Sequence, residues 1–182
     1  MQSIELLRTT LERLSDPNHY IFSTSDFYGL FPTLSRQALH VLLSRATQKG
    51  ILERACQGLY IYPKARYERG YELYHLAARL RDNYFCYLSL ESILSEAGVI
   101  SQIPMGYITL MTNGRSGIIN CHKFGKIEFI HTKKPISILR SDIYYNNRYQ
   151  LWCANVSLAY RDMTDTKRNL DLVDFEVLHE LI

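Results

Sequence analysis

Apolar positions in the first third of the chain recur at helical spacing and then give way to short alternating runs. Ile4, Leu7, Leu11 and Leu14 mark one face of an opening helix over about Ser3–Leu14, and Asp16-Pro17-Asn18 ends it. A short helix from about Ser25 to Leu30 follows, with Phe22, Phe27 and Leu30 or Phe31 as core. After a bend containing Gly29 and Pro32, Ser35 caps a longer helix that runs from Arg36 to Lys49 and stops at Gly50. The segments ILERAC and LYIYP then read as two strands joined through Gln57-Gly58, where glycine supplies the positive φ of a tight turn. Helix, bend, helix and hairpin in this order predict a helix-turn-helix followed by a two-stranded wing.

The longer helix has two unlike sides. At ~100° per residue, Ala38, Leu39, Leu42 and Ala46 fall on a side expected to pack, while Arg36, Gln37, His40, Ser44, Thr47 and Gln48 fall opposite. No Asp or Glu occurs from Thr33 to Ile51, and cations flank the hairpin. A polar face without acid suits the major groove, where Arg and Gln bond base edges in pairs and Ser reaches phosphate or base. The plainer alternative is a solvated helix face.

The second half has its own pattern. Lys64-Ala65-Arg66-Tyr67-Glu68-Arg69-Gly70 leads into a helix over about Tyr71–Asp82, with Leu73, Leu76, Ala77 and Leu80 as a stripe, which reads as a connector. In NYFCYLSLESILSEAGVI, Ser89 is expected to cap a helix that ends at Gly98. From Gly106 to Leu139 the period becomes two, and four strands are expected in a meander: GYITLMT, SGIINCHKF, GKIEFIHT and PISIL. Asn113-Gly114 and Lys133-Lys134-Pro135 would be turns. Two helices close the chain, about Val156–Met163 capped by Asn155 and about Asp174–Leu181, both acidic outside. The expected class is α+β: a winged helix-turn-helix domain over 1–66, a connector helix over 67–83, and an α+β domain over 84–182 with a roughly four-stranded antiparallel sheet.

Charge sharpens this division. The net charge of +3 is unevenly placed, with positive balance in 1–66 and 110–140 and negative balance in 67–109 and 141–182. So small a net charge excludes a nonspecific polybasic binder. No run approaches the ~20 apolar residues that span a bilayer, and the opening is an amphipathic helix rather than a signal sequence, so a cytoplasmic protein is expected. Cys56, Cys86, Cys121 and Cys153 lie far apart without a CxxC pair, so buried thiols are expected rather than zinc or redox sites. Cys121-His122 with His131 is a poor metal set, because adjacent residues on a strand point to opposite faces.

Catalytic signatures are sparse. Phosphate-cradling, zinc-protease and serine-hydrolase motifs are missing from the sequence, so no enzyme, cofactor or metal is expected. The enzymatic alternative is a metal-dependent nuclease using Glu128, with Lys126 two residues earlier on the same strand face and Asp142 nearby; a plain cross-strand ion pair accounts for the same spacing. Arg115, Lys123, Lys126, Lys133 and Lys134 form a candidate second basic face, or else guard sheet edges against mispairing. The fourteen tyrosines are densest at Tyr144-Tyr145-Asn146-Asn147-Arg148-Tyr149, where an exposed loop could stack on bases or, more simply, the rings cover a small core.

Taken together, ALHVLLSRATQKGILERACQGLYIYP, YLSLESILSEAGVISQIP and FGKIEFIHT resemble the AbiEi family of antitoxins from bacterial type IV toxin–antitoxin and phage-abortive systems. The resemblance covers most of the chain, through soft patterns rather than catalytic signatures. It implies an N-terminal domain that binds double-stranded promoter DNA at an inverted repeat and represses its own operon, with a homodimer on DNA as one arrangement. It also implies a C-terminal domain that opposes a nucleotidyltransferase-like toxin, with which it need not form a stable complex. The residues that transfer are Ser35, Arg36, Gln37, His40 and Ser44 for the groove, and Arg54 and Lys64 for phosphate. The chain is shorter than many family members, and its acidic last helices would be a reduced C-terminal domain. A winged-helix protein-interaction module whose acidic tail docks a partner is the other alternative.

Overall fold

The computed structural model describes residues 2–101 and 105–182, so Gln102-Ile103-Pro104, the end of one family-like run, lies outside the described residues. The chain divides into two compact units, Met1–Gly70 and Tyr71–Ile182.

In the first unit, helix α1 (Gln2–Leu14) is followed by strand β1 (Ile21–Ser23), helices α2 (Thr24–Leu30) and α3 (Arg36–Gln48), and strands β2 (Glu53–Cys56) and β3 (Leu59–Ile61). Asp16 closes the first turn, its carboxylate accepting from the backbone N–H of Asn18 and His19. A capping box starts α2: the Ser23 hydroxyl accepts from Asp26 N–H, and the Asp26 carboxylate accepts from Ser23 N–H. Ser35 caps α3 through Ala38 N–H, and Gly50 follows its end at φ +66°. The hairpin turns at Gly58, φ +79°.

The hairpin gains an unforeseen third strand, because β1 pairs with β3 to give the order β1-β3-β2. Leu7, Leu11, Phe22, Phe27, Leu39, Leu43 and Ile61 are fully buried beneath it. Burial of Leu43 and exposure of Ala38 correct the expected packing face of α3.

The second unit comprises α4 (Glu72–Leu80), β4 (Cys86–Leu88), α5 (Glu91–Glu96), β5 (Tyr107–Thr112), β6 (Gly117–Asn120), β7 (Lys126–His131), α6 (Ile136–Leu139), β8 (Ile143–Asn146), β9 (Leu151–Ala154), α7 (Val156–Thr166) and α8 (Phe175–Leu181). Its sheet has six strands in the order β6-β7-β5-β4-β9-β8 and is mixed, with β5·β7 and β4·β9 parallel. The expectation of four antiparallel strands is therefore corrected. Alternate residues of β7 meet opposite layers: Phe129 lies beneath Arg81, just after α4, whereas Glu128 meets Arg168, just after α7. Helix α4, expected as a connector, packs on β7 and β9 within this unit.

Three local expectations also change. Asn113-Gly114 is not a hairpin turn, because β7 lies between β5 and β6 and runs parallel to β5. The second expected strand stops at Asn120, and His122–Phe124 form a 3-10 turn that ends at Gly125. There φ is +118° and a Cβ would lie 2.0 Å from the Gly106 carbonyl oxygen, so only glycine lets β7 start beside β5. PISIL forms the short helix α6 rather than a strand.

Ser89 does not cap α5. Leu90 occupies that position in the left-handed region at φ 57°, and the buried Ser89 hydroxyl donates to Asp162 at 2.7 Å. Asn155 and Asp174 do cap α7 and α8, but Asp162 is buried, so α7 is not uniformly acidic outside. Tyr144 and Tyr145 lie on β8 rather than in a loop, and all four cysteines are buried free thiols. Among the described residues, no helix is long and apolar enough to cross a membrane.

Candidate functional site

Helix α3 is held by α1 and α2 along the side bearing Leu39, Leu42, Leu43 and Ala46. Those four residues average to one direction at ~100° per residue, so the opposite direction passes between Gln37, Ser44 and Gln48. All three are exposed, as are Arg36 and His40 on one flank and Val41 and Arg45 on the other. Against the first flank stands the hairpin. His40, Ser44, Thr47 and Gln48 of α3, Arg54 and Tyr60 across the β2·β3 ladder, Gln57-Gly58 at its turn, and Thr24 enclose an open groove of about 450 Å³. None of the residues lining it is acidic.

Tyr28 of α2 steadies the flank. Its hydroxyl shares a hydrogen bond with His40 Nε2 at 3.4 Å, and the Arg36 guanidinium carbon lies 5.9 Å from its ring centroid. Three residues expected in the site, His40, Ser44 and Arg54, are thus in one groove, with Arg36 beside it. Ser35 and Gln37 border a different hollow of about 450 Å³ together with Leu34, Val41 and Arg45. Lys64 is exposed beyond the end of β3 and is not among the groove residues.

Sequence reasoning missed Val41, Arg45 and Tyr28. The first two were hidden by the misplaced packing side: once Leu43 replaces Ala38 inside, the exposed arc turns to include them. Val41 adds an exposed apolar side chain to this arc, and Arg45 adds a cation. Tyr28 carries no sequence signal, since only the approach of α2 to α3 brings it to His40 and Arg36.

The candidate basic face of the second unit is not brought together. Lys123 and Lys126 lie at the start of β7; Arg115 and Lys133 flank its other end, ~16 Å along a six-residue strand. Lys134 is not available as a surface cation, because its ammonium donates to Asp162 at 2.6 Å and pairs with Asp165 at 2.8 Å. Burial alone would lower the Lys134 pKa, but the two carboxylates outweigh it and raise it.

Glu128 is engaged on both oxygens. The Arg168 guanidinium donates to each at 2.8 Å, the Tyr107 hydroxyl adds a bond of 2.7 Å, and Arg168 Nε continues to Glu91 at 3.0 Å. Burial pushes the Glu128 carboxyl up, yet the bonds from Arg168 and Tyr107 more than cancel this and hold it below the ordinary range. The ion pair at this position is therefore with Arg168, not with Lys126. Asp142 pairs instead with Arg161. His122 is exposed in its turn and Cys121 is buried; among the described residues, no three His, Cys, Asp or Glu gather as a metal would need. No protein-family model matches the chain, and no curated protein is significantly similar to it.

Proposed function

We propose that the first unit is a winged helix-turn-helix reader of double-stranded DNA, with α3 entering the major groove and the β2–β3 hairpin as the wing. The chain is a cytoplasmic, non-enzymatic transcriptional repressor of its own operon and the antitoxin of a type IV system opposing a nucleotidyltransferase-like toxin. The observation that carries the DNA reading is the acid-free groove joining His40, Ser44, Thr47 and Gln48 to Arg54. Hydrogen-bonding side chains in α3 face base edges there, while a cation on the adjoining strand is placed for backbone phosphate. The antitoxin role rests on the family-like sequence runs.

The test is binding of the full chain to DNA upstream of its own gene, with co-expression beside the adjacent gene. Arg36→Ala with His40→Ala is expected to weaken specific binding by at least ~10-fold, on the scale of one lost base contact, with the circular dichroism unchanged. Unchanged binding by that pair removes the DNA assignment. If the neighbouring gene encodes a toxin, co-expression of this chain restores growth, whether or not the two proteins co-purify; continued growth arrest removes the antitoxin role.

A further inference from the structure

One recessed hydroxyl in the α3–hairpin groove carries a proton that the fold does not use. Tyr60 is only 8 % exposed, yet its hydroxyl, unlike that of Tyr87, is not sealed in the core, and it opens among the residues that line the groove. None of the described residues hydrogen-bonds it. The neighbouring threonines are committed: Thr24 Oγ1 donates to the Gly58 carbonyl at 3.3 Å and Thr47 Oγ1 to the Leu43 carbonyl at 2.9 Å. A phenol set nine-tenths inside the protein, with a free proton at its open end, calls for an acceptor from outside.

The ring is fixed before anything binds. Strand β3 is central in the order β1-β3-β2, and Tyr60 pairs with Phe22 on one side and with Arg54 on the other. Phe27 meets the ring edge to face at 5.9 Å. The hairpin turn is itself fastened to α2, since Thr24 N–H donates to the Gly58 carbonyl at 2.8 Å. A donor held in this way loses little freedom on binding.

The surroundings select the acceptor. As its cross-strand partner, Arg54 stands beside Tyr60 on the same face of the ladder; it is exposed and has no carboxylate partner among the described residues. Alternation sends the neighbouring acid, Glu53, to the other face. A phenol proton and a guanidinium on one wall, with no acid between them, suit an anionic oxygen. That wall lies to the side of the direction in which Gln37, Ser44 and Gln48 face outward, where the sugar–phosphate backbone borders a helix seated in the major groove.

We propose that Tyr60 and Arg54 form a seat for one backbone phosphate of the DNA, the Tyr60 hydroxyl donating to an oxygen deep in the groove and the Arg54 guanidinium pairing from its rim. This rests on the DNA reading of the first unit and adds a neutral, preorganised contact to it. Binding of the full chain to the duplex upstream of its own gene and to a scrambled duplex, each over a salt series, supplies the test. Tyr60→Phe keeps the ring and removes only the hydroxyl, so the melting temperature should stay within a few degrees. It is expected to weaken binding to both duplexes at least ~10-fold, the scale of a hydrogen bond to a charged group, and to leave their ratio unchanged. The salt slope should also hold, because a neutral donor displaces no counterion, whereas Arg54→Gln should reduce it by about one unit. In upstream duplexes carrying one uncharged methylphosphonate at each position in turn, the position that weakens the wild type through this seat should cost Tyr60→Phe less. Wild-type affinity in Tyr60→Phe, or a loss confined to the upstream duplex, overturns the seat while the DNA reading stands. A wild type that binds neither duplex at low salt removes the DNA reading and the seat with it.

Discussion

Individual side chains separate what binds from what holds the fold. Arg54 reaches the groove from β2, so Arg54→Ala should weaken binding evenly across DNA sequences and reduce the slope of log affinity against log salt by about one unit, the share of a single phosphate contact. Measured over a salt series, an unchanged slope would remove Arg54 from the backbone contacts. Glu128 acts within the second unit. Its carboxyl is held below the ordinary range, so its bonds to Arg168 and Tyr107 contribute stability fully present above ~4.3, the unfolded glutamate value, and lost as pH falls through the lower folded value. Urea titrations should find Glu128→Gln less stable than wild type at neutral pH, the two converging in acid. A constant gap would mean that the carboxylate charge is not what matters. Much at this scale was legible in the sequence: Ser35 caps its helix, Gly58 turns the hairpin, and Arg36, His40 and Ser44 point outward, because each depends on neighbours only a few residues away. Burial of Leu43 in place of Ala38 was not, because the side of α3 that packs is chosen by α1 and α2 rather than by its own spacing.

Among elements, helices with a cap and an apolar stripe were readable, and pairing between strands was not. The limits of α1, α2, α3 and α7 follow from local signals. By contrast, Asn113-Gly114 has the composition of a hairpin turn, yet β5 pairs with β7, a partner fixed by the approach of Gly125 to Gly106, nineteen positions away in the chain. PISIL illustrates a related ambiguity: a four-residue segment after proline with three apolar residues suits a strand or one helical turn equally, and Pro135 here precedes a helix. Since a Cβ at Gly125 would collide with backbone and not with a movable side chain, Gly125→Ala should cost more than about 3 kcal/mol in urea unfolding. A cost below ~1 kcal/mol would show that the β5–β7 junction relaxes easily. Strands β4, β8 and β9 escaped notice because, unlike the equally short β2 and β3 with their Gln57-Gly58 turn, none adjoins a glycine turn that would mark it.

Across the molecule, positive and negative blocks fall along the chain in a way consistent with a division of labour. The first unit gathers polar and cationic side chains beside an amphipathic helix, whereas the cations of the second are partly spent on its own carboxylates, Lys134 on Asp162 and Arg168 on Glu128 and Glu91. This supports placing DNA recognition in the first unit and gives no support to a catalytic Glu128, whose oxygens are occupied. The most direct measurement is the ratio of affinities of the full chain for DNA upstream of its own gene and for a scrambled duplex, at one salt concentration, in wild type and Ser44→Glu. A carboxylate set in the middle of the α3–hairpin groove should meet phosphate and base acceptors with like charge, lowering upstream binding at least ~100-fold and bringing the ratio close to one. A ratio that stays at its wild-type value would contradict the assignment of this groove to DNA.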